Sequence, residues 1–493
     1  MVDLHSAGHR RGVVCAPHAA AAEAGRQILA EGGYAIEAMI AMAATIVAVY
    51  PHMNHLGGDG FWLIREPSGR LRAIMAPGPA GRNARPELYR DHETVPTRGP
   101  LAALTVPGAV GGWIVALQAA KAHGGALPLD VLLGNAQSHA RNGYQVSRSQ
   151  NRLTQQHLVE LVDVPGFAAT FLVDGKTPDI GTVLKQQTLA ATFEHLAHSG
   201  LDDFYRGDVG REIAADLDRI GSPVTRDDLT RYQAKIAEPL RADVSAGALH
   251  NTDAPTQGLV SLMILALFDQ LGVKESESFD HIHGLVEATK RALRARDRAV
   301  TDPDHLAQPL SRYLEARFLA GEVMKIDRRK AAPWPLGPDE GDTIWMGAAD
   351  ASGLVVSYIQ SIYWEFGSGC VLPATGVLMQ NRGASFSLQT GALNPLMPGR
   401  LPFHTLNPAL AEAIDRPRWV LGRTWGADRT SLRLEPRSDG NLIDALQSAG
   451  HEVDVLTEPY SDVMGHAGAV VLHKDGSLEG AHDPRADGGA AGV

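Results

Sequence analysis

Thr343 sits in the stretch Asp342-Thr343-Ile344-Trp345-Met346-Gly347-Ala348-Ala349-Asp350, behind a segment rich in proline, glycine and acid, Ala332-Pro333-Trp334-Pro335-Leu336-Gly337-Pro338-Asp339-Glu340-Gly341. The residues after it read as one arm of a β-hairpin that turns at Asp350-Ala351-Ser352-Gly353 and returns over 354–361. A threonine hydroxyl is a weak nucleophile until a base lies beside it. Cutting the Asp342–Thr343 bond would supply one, the freed α-amine of Thr343 itself. An unperturbed α-amine titrates near ~7.7–8.0, so a useful fraction is neutral at physiological pH. β-branched residues also open strands with no chemistry attached, so Thr343 alone leaves both readings open.

Other chemistries find little support in the 493 residues. Two cysteines, Cys15 and Cys370, form no disulfide framework and no metal set, and the 20 histidines include no His-Glu-x-x-His. Neither a dinucleotide-binding Gly-x-Gly-x-x-Gly nor a phosphate-binding P-loop is present. The sequence therefore predicts no metal and no cofactor. A net charge of −11 without a basic patch argues against a nucleic-acid partner. The most apolar run, 38–50, is too short to span a bilayer, and the first residues have no apolar signal core. No membrane partner and a cytoplasmic location are the expectations.

The elements that must position Thr343 follow from periodicity. Residues 12–16 read as a buried strand, 18–30 as an alanine-rich helix stopped by Gly32-Gly33, and 35–49 as a helix apolar all round and so buried. Strands are expected at 61–64 and 71–75, then mainly helices between 110 and 318, including 189–198, 209–220, 225–233, 258–271 and 281–299. Strands return at 344–349 and 354–361, with further candidates at 376–379, 431–434 and 468–472. Helices packed over sheets drawn from both ends of the chain fit this order better than strict βαβ alternation.

Read in order, several short motifs point one way. They are Glu23-Ala24-Gly25 with Gly32-Gly33-Tyr34-Ala35; Gly57-Gly58-Asp59-Gly60-Phe61; Val106-Pro107-Gly108; and Asp203-Phe204-Tyr205-Arg206-Gly207. The run from Thr343 to Gly353, Phe366-Gly367-Ser368-Gly369, Gly376-Val377-Leu378-Met379-Gln380-Asn381 and Asp483-Pro484-Arg485 complete the set. Each is weak alone. Collinear over nearly the whole chain, the set resembles the γ-glutamyltranspeptidase family of N-terminal nucleophile hydrolases. The resemblance implies an α+β fold, a four-layer αββα sandwich, made as an inactive precursor that cuts itself between Asp342 and Thr343. The expected subunits are 1–342 and 343–493, together one αββα unit, and a homodimer of that heterodimer is left open. Thr343 is the implied catalytic nucleophile. Its hydroxyl attacks an amide carbonyl, its amine takes the proton, and water or another amine resolves the acyl-enzyme. Ser361 matches a family hydroxyl that hydrogen-bonds the nucleophile's amine.

The substrate clamp departs from the family. Where an Arg-Glu pair normally holds a γ-glutamyl carboxylate, this chain has Met75-Ala76-Pro77-Gly78-Pro79-Ala80-Gly81-Arg82. Where an aspartate holds the γ-glutamyl amine, the run Gln380-Asn381-Arg382-Gly383-Ala384-Ser385 offers Ser385, and a Ser-Ser pair becomes His404-Thr405. Losing both halves of the clamp removes charge-assisted bonds worth roughly 1.5–3 kcal/mol each. The expected substrate shifts from glutathione to a small acidic amide, and the departures are similar to the oxamate-hydrolysing branch of the family. Arg82, Arg382 and His404 are candidate partners of the substrate carboxylate, with Asn381, Ser385 and Thr405 beside them. His52 and His55 either line the pocket or are buried structural histidines. The family also carries a strand and a Gly-Gly element after Asn407-Pro408, whose amides help form the oxyanion hole. Here Pro408-Ala409-Leu410-Ala411 runs straight into Glu412-Ala413-Ile414-Asp415, so that segment is missing near Ala411. Loss of an oxyanion donor typically costs ~10²–10³ in rate. The competing readings are an acylase on larger amides of the cephalosporin type, a γ-glutamyl hydrolase or transferase, and an inactive scaffold or binding protein.

Overall fold

The computed structural model describes residues 7–334, 344–408, 419–421 and 431–493. Asp342, Thr343 and the stretch around Ala411 lie outside them. The central sheet has seven strands in the order Gly489–Gly492, Gly12–Ala16, Ile344–Asp350, Val355–Ser361, Asp59–Arg65, Leu71–Ala76 and Lys235–Ala237. Every neighbouring pair is antiparallel. The sheet is thus woven from both halves of the chain. The hairpin that follows Thr343 lies in its middle, between the N-terminal strand and the strand that begins at Asp59.

Alternation of side chains decides what covers each face. Met346, Val356, Tyr358, Trp62, Ile64 and Ile74 point to one face, where helices Ala19–Ala30, Ala35–Val49 and Ala109–Ala122 pack on them. All fifteen residues of Ala35–Val49 are buried, as an all-round apolar helix requires. Its buried Glu37 is satisfied by the Tyr34 and Leu127 amides, both at 2.9 Å.

The opposite face carries Val13, Cys15, Trp345 and Ala349, which meet Val470 and Leu478 of a second sheet, Ala7–His9, Leu478–His482 and Gly468–Leu472. Further along the same face Phe61, Leu63, Met75 and Ile359 pack against Leu406. Phe403, three residues earlier, packs instead on the cluster around helix Gly258–Leu271. Segment 402–407 therefore lies between the central sheet and the second helical layer. Helix Phe279–Ala299 in turn contributes Val286 to a cluster with Leu432 and Leu434 of a third sheet. This is the layered α+β sandwich that the sequence implied.

One local expectation needs correction. Residues 376–379 form no strand; they are held by isolated bridges, Gly57 to Met379 and Val371 to Leu378. The stretch from 110 to 318 is mainly helical, as expected, with short strands set among the helices. Strand Lys235–Ala237 edges the central sheet, and Leu240–Val244 pairs with Gly247–Asn251 as a hairpin. Leu240 and Ala242 alternate with exposed neighbours and bury one side against helix Gly258–Leu271, a strand pattern hidden among helices.

Candidate active site

The site begins at a row of strand ends. Ile344 pairs with Gln360, and the next residue, Ser361, pairs with Asp59 on the following strand. Directly opposed residues of an antiparallel pair share a face. Ser361 and Asp59 thus lie on the face that also carries Ile359 and Phe61, turned toward segment 402–407. Close backbone packing makes the row possible. A β-carbon on Gly58 would stand 2.3 Å from the Ser361 carbonyl oxygen. Gly58→Ala must push the end of strand Val355–Ser361 aside, at about 1–3 kcal/mol for such overpacking. Thermal melting should show the loss of stability, and gel electrophoresis should show slowed chain cleavage.

Ser361 is 1% exposed, and its hydroxyl accepts the Tyr363 amide at 2.9 Å. That bond fixes a tight turn in which Tyr363 adopts φ 82, a left-handed conformation costly for a non-glycine residue. Asn381 braces the same turn: its carbonyl oxygen accepts the Trp364 amide at 3.1 Å, and its amide donates to Thr97 O at 2.9 Å. The strained geometry sets the Tyr363 ring beneath the guanidinium of Arg382, 3.7 Å from centroid to Cζ. Arg382 opens the short 3-10 turn Arg382–Ser385 and is 1% exposed. Its Nη1 reaches Thr405 Oγ1 at 3.4 Å. The Ser385 hydroxyl oxygen is buried and has no hydrogen-bond partner among the described residues.

His404 is fully buried, its ring edge-on to Phe61 with centroids 4.9 Å apart. Its Nε2 lies 3.3 Å from Asp59 Oδ2, close enough for an ion pair without the alignment of a hydrogen bond. Asp59 Oδ1 accepts three donors: the Gly78 amide at 2.9 Å, the Gly108 amide at 3.0 Å and Gln380 Nε2 at 3.0 Å. Burial pushes the Asp59 carboxyl up to about 7, opposed by Gln380, Arg382 and the two amides. Burial, with Arg382 nearby, holds His404 well below the usual imidazole range.

The structure therefore brings Ser361, Asn381, Arg382, His404 and Thr405 into one connected group. Arg82 is held elsewhere: it is half-exposed, with its guanidinium on Asp227 at 2.6 Å and its backbone amide on Asp228. An arginine so neutralised at the surface is not available to a buried carboxylate. His52 and His55 are structural. His52 Nε2 bonds Ser149 Oγ at 2.9 Å, and His55 Nδ1 accepts the Leu378 amide at 3.0 Å. Burial lowers the His55 pKa to about 3. Asp59 is the residue that sequence reasoning missed; it lay inside a quoted glycine motif but showed no sign of its partner at 404. Elsewhere, His283, Glu287 and His451 bring ligand-type atoms within 4.8 Å of one another. Lys290 already donates to Glu287 Oε1 at 2.7 Å and to Ala332 O at 2.8 Å, so this cluster reads as a clasp holding the 327–333 stretch. No helix among the described residues is long and apolar enough to cross a membrane.

A sandwich of this kind, with a central hairpin whose strand ends gather a hydroxyl, a carboxylate and a cation, is that of the N-terminal nucleophile hydrolases. The gamma-glutamyltranspeptidase family model matches residues 21–412 and 409–493, and the chain belongs to that family. The oxamate amidohydrolase proenzyme of Klebsiella pneumoniae is 46% identical over 528 aligned positions, covering 99% of this chain and all of the relative. A glutathione hydrolase-like YwrD proenzyme of Bacillus subtilis is 34% identical over 98% of both chains. Among solved structures, a cephalosporin acylase from Bacillus halodurans superposes with a TM-score of 0.90 at 27% identity, covering all of this chain and 98% of the other. The family match is split at residues 409–412, and the 528 aligned positions exceed the 493 residues of this chain. The break in the family match falls near Ala411, where the family's strand and Gly-Gly element were expected.

Proposed function

We propose that this chain is a self-processing amidohydrolase that cleaves a small acidic amide, oxamate, to oxalate and ammonia. The observation that carries the reading is the full-length likeness to the oxamate amidohydrolase proenzyme of Klebsiella pneumoniae. The precursor cuts itself between Asp342 and Thr343 into subunits 1–342 and 343–493. Ile344, which follows Thr343 in the chain, pairs with Gln360, the residue before Ser361, and Ser361 pairs with Asp59. The Thr343 hydroxyl attacks the amide carbon, its α-amine takes the proton and returns it to the leaving ammonia, and water then hydrolyses the acyl-enzyme. Ser361 holds that amine. The substrate carboxylate lies on Arg382, with Thr405 and His404 beside it and the Ser385 hydroxyl as a further donor. A planar guanidinium suits bidentate carboxylate binding, and stacking on Tyr363 fixes its plane. Two free, buried cysteines suit a reducing, cytoplasmic compartment, and a homodimer belongs to the same reading.

Ser361→Ala should mature slowly and lose about ten- to hundredfold in kcat, the worth of one hydrogen bond to a group that becomes charged. Ser361→Thr should recover most of it. The substrate test is ammonia release from oxamate measured beside nitroaniline release from γ-glutamyl-p-nitroanilide. Turnover of the first alone is expected; turnover of the second alone would contradict the reading. A second reading, an acylase on larger amides, draws on the close superposition with the cephalosporin acylase, and hydrolysis of a glutaryl amide tests it.

A further inference from the structure

The feature that the proposed reaction leaves unexplained is a fully buried imidazole whose Nδ1 has no hydrogen-bond partner among the described residues. Burying a polar atom unpaired costs on the order of 1–3 kcal/mol, and unlike those of His52 and His55 this ring lies between the Asp59 carboxylate and Arg382. The ring is immobilised on its other sides. Phe61 meets it edge-on, its own backbone amide donates to Pro255 O at 2.9 Å, and its carbonyl accepts the Gln257 amide at 2.9 Å. Among the described residues, the charged groups facing it are Asp59, from the central sheet, and Arg382, from the 3-10 turn. Three phenols, Tyr205, Tyr232 and Tyr358, face Asp59, and burial keeps each of them protonated.

We propose that His404 contacts the substrate carboxylate through Nδ1 and takes up one proton when that carboxylate binds, with Asp59 as the positioning residue that holds Nε2. The inference rests on the amidohydrolase reading. Its logic is a charge count. Without substrate, and with the Thr343 amine neutral, Asp59 and Arg382 balance among the described residues and His404 is neutral, with its hydrogen on Nε2 toward Asp59 Oδ2. A carboxylate on Arg382 adds one negative charge to a closed, low-dielectric site, and a proton from solvent on Nδ1 restores balance while turning that edge into a donor. The three donors on Asp59 Oδ1 keep that oxygen occupied, so only Oδ2 is left to pair with the imidazole.

The source of the proton sets a pH signature. Below about pH 7 the Asp59 carboxyl is itself protonated, so binding shifts a proton within the pair and takes up none. Above it the proton comes from solvent, and affinity should fall about tenfold per pH unit. The experiment is calorimetric titration of the matured enzyme with glycolate, a monoanion at both pH values that has no acyl group to transfer to Thr343, in two buffers of different ionisation enthalpy, at pH 6 and pH 8. Uptake close to zero at pH 6 and close to one proton at pH 8 is expected. His404→Gln should bind glycolate at least about tenfold more weakly and lose that uptake. Asp59→Asn should lose the uptake too and raise KM for oxamate more than it lowers kcat, a split that a general folding defect would not give. Uptake in His404→Gln equal to that of the wild type, no uptake in the wild type at pH 8, or no binding of glycolate would overturn the proposal. Ammonia release from oxamate by the same preparation judges the amidohydrolase reading separately.

Discussion

Thr343→Ala is expected to persist as one uncut chain and to release no ammonia from oxamate, a loss on the order of 10⁴–10⁶ in kcat. Two functions disappear in one substitution. On the proposed reading the hydroxyl is the nucleophile for substrate, and in the precursor it is also the group that attacks the carbonyl of Asp342. Alanine removes the oxygen while leaving strand Ile344–Asp350 free to pair as before, since its register is set from Ile344 to Ala349 by backbone bonds to the neighbouring hairpin arm. The variant should therefore melt close to the wild-type precursor, which separates loss of chemistry from loss of fold. Thr343→Ser keeps an oxygen and should cleave slowly. An uncut but active Thr343→Ala chain would contradict the assignment.

Arg382→Ala should reduce kcat/KM for oxamate by about 10- to 100-fold, chiefly through KM, if it carries a bidentate pair to the substrate carboxylate worth roughly 1.5–3 kcal/mol. The loss should run further than that one contact. Arg382 stacks on Tyr363, whose left-handed turn is tied to Ser361, and its charge faces both Asp59 and His404. Removing it leaves a buried carboxylate without its nearby cation, which typically destabilises by about 3–5 kcal/mol when the charge is deeply buried. Arg382→Lys keeps the charge but not the planar fork and should recover stability more than KM. Steady-state kinetics beside a melting curve separates the two effects. An unchanged KM in both variants would remove Arg382 from the site.

How much of this was legible in the sequence depended on what each residue answers to. Helix Ala35–Val49 was plain because its burial is written in its own residues. The glycine motifs were plain because they serve close backbone approaches: a β-carbon on Gly108 would meet Ala76 O at 2.1 Å, and Gly58 lies against Ser361. Long-range charge pairing was not legible. Arg82 suggested a carboxylate clamp because of where it falls in the family order, but Asp227 and Asp228, far along the chain, fold onto it. Asp59 looked like a spacer between glycines until His404 was seen against it. The apolar run 376–379 suggested a strand because its residues favour one, yet the close contact between Gly57 and Leu378 leaves room only for bridges.

The central claim is that Thr343 becomes an N-terminal residue. Intact-mass measurement of the purified wild-type protein under denaturing conditions tests it most directly. Two chains are expected, the smaller beginning Thr-Ile-Trp-Met and the pair summing to the precursor plus one water. A single chain with the mass of the full sequence, unchanged after prolonged incubation, would contradict it.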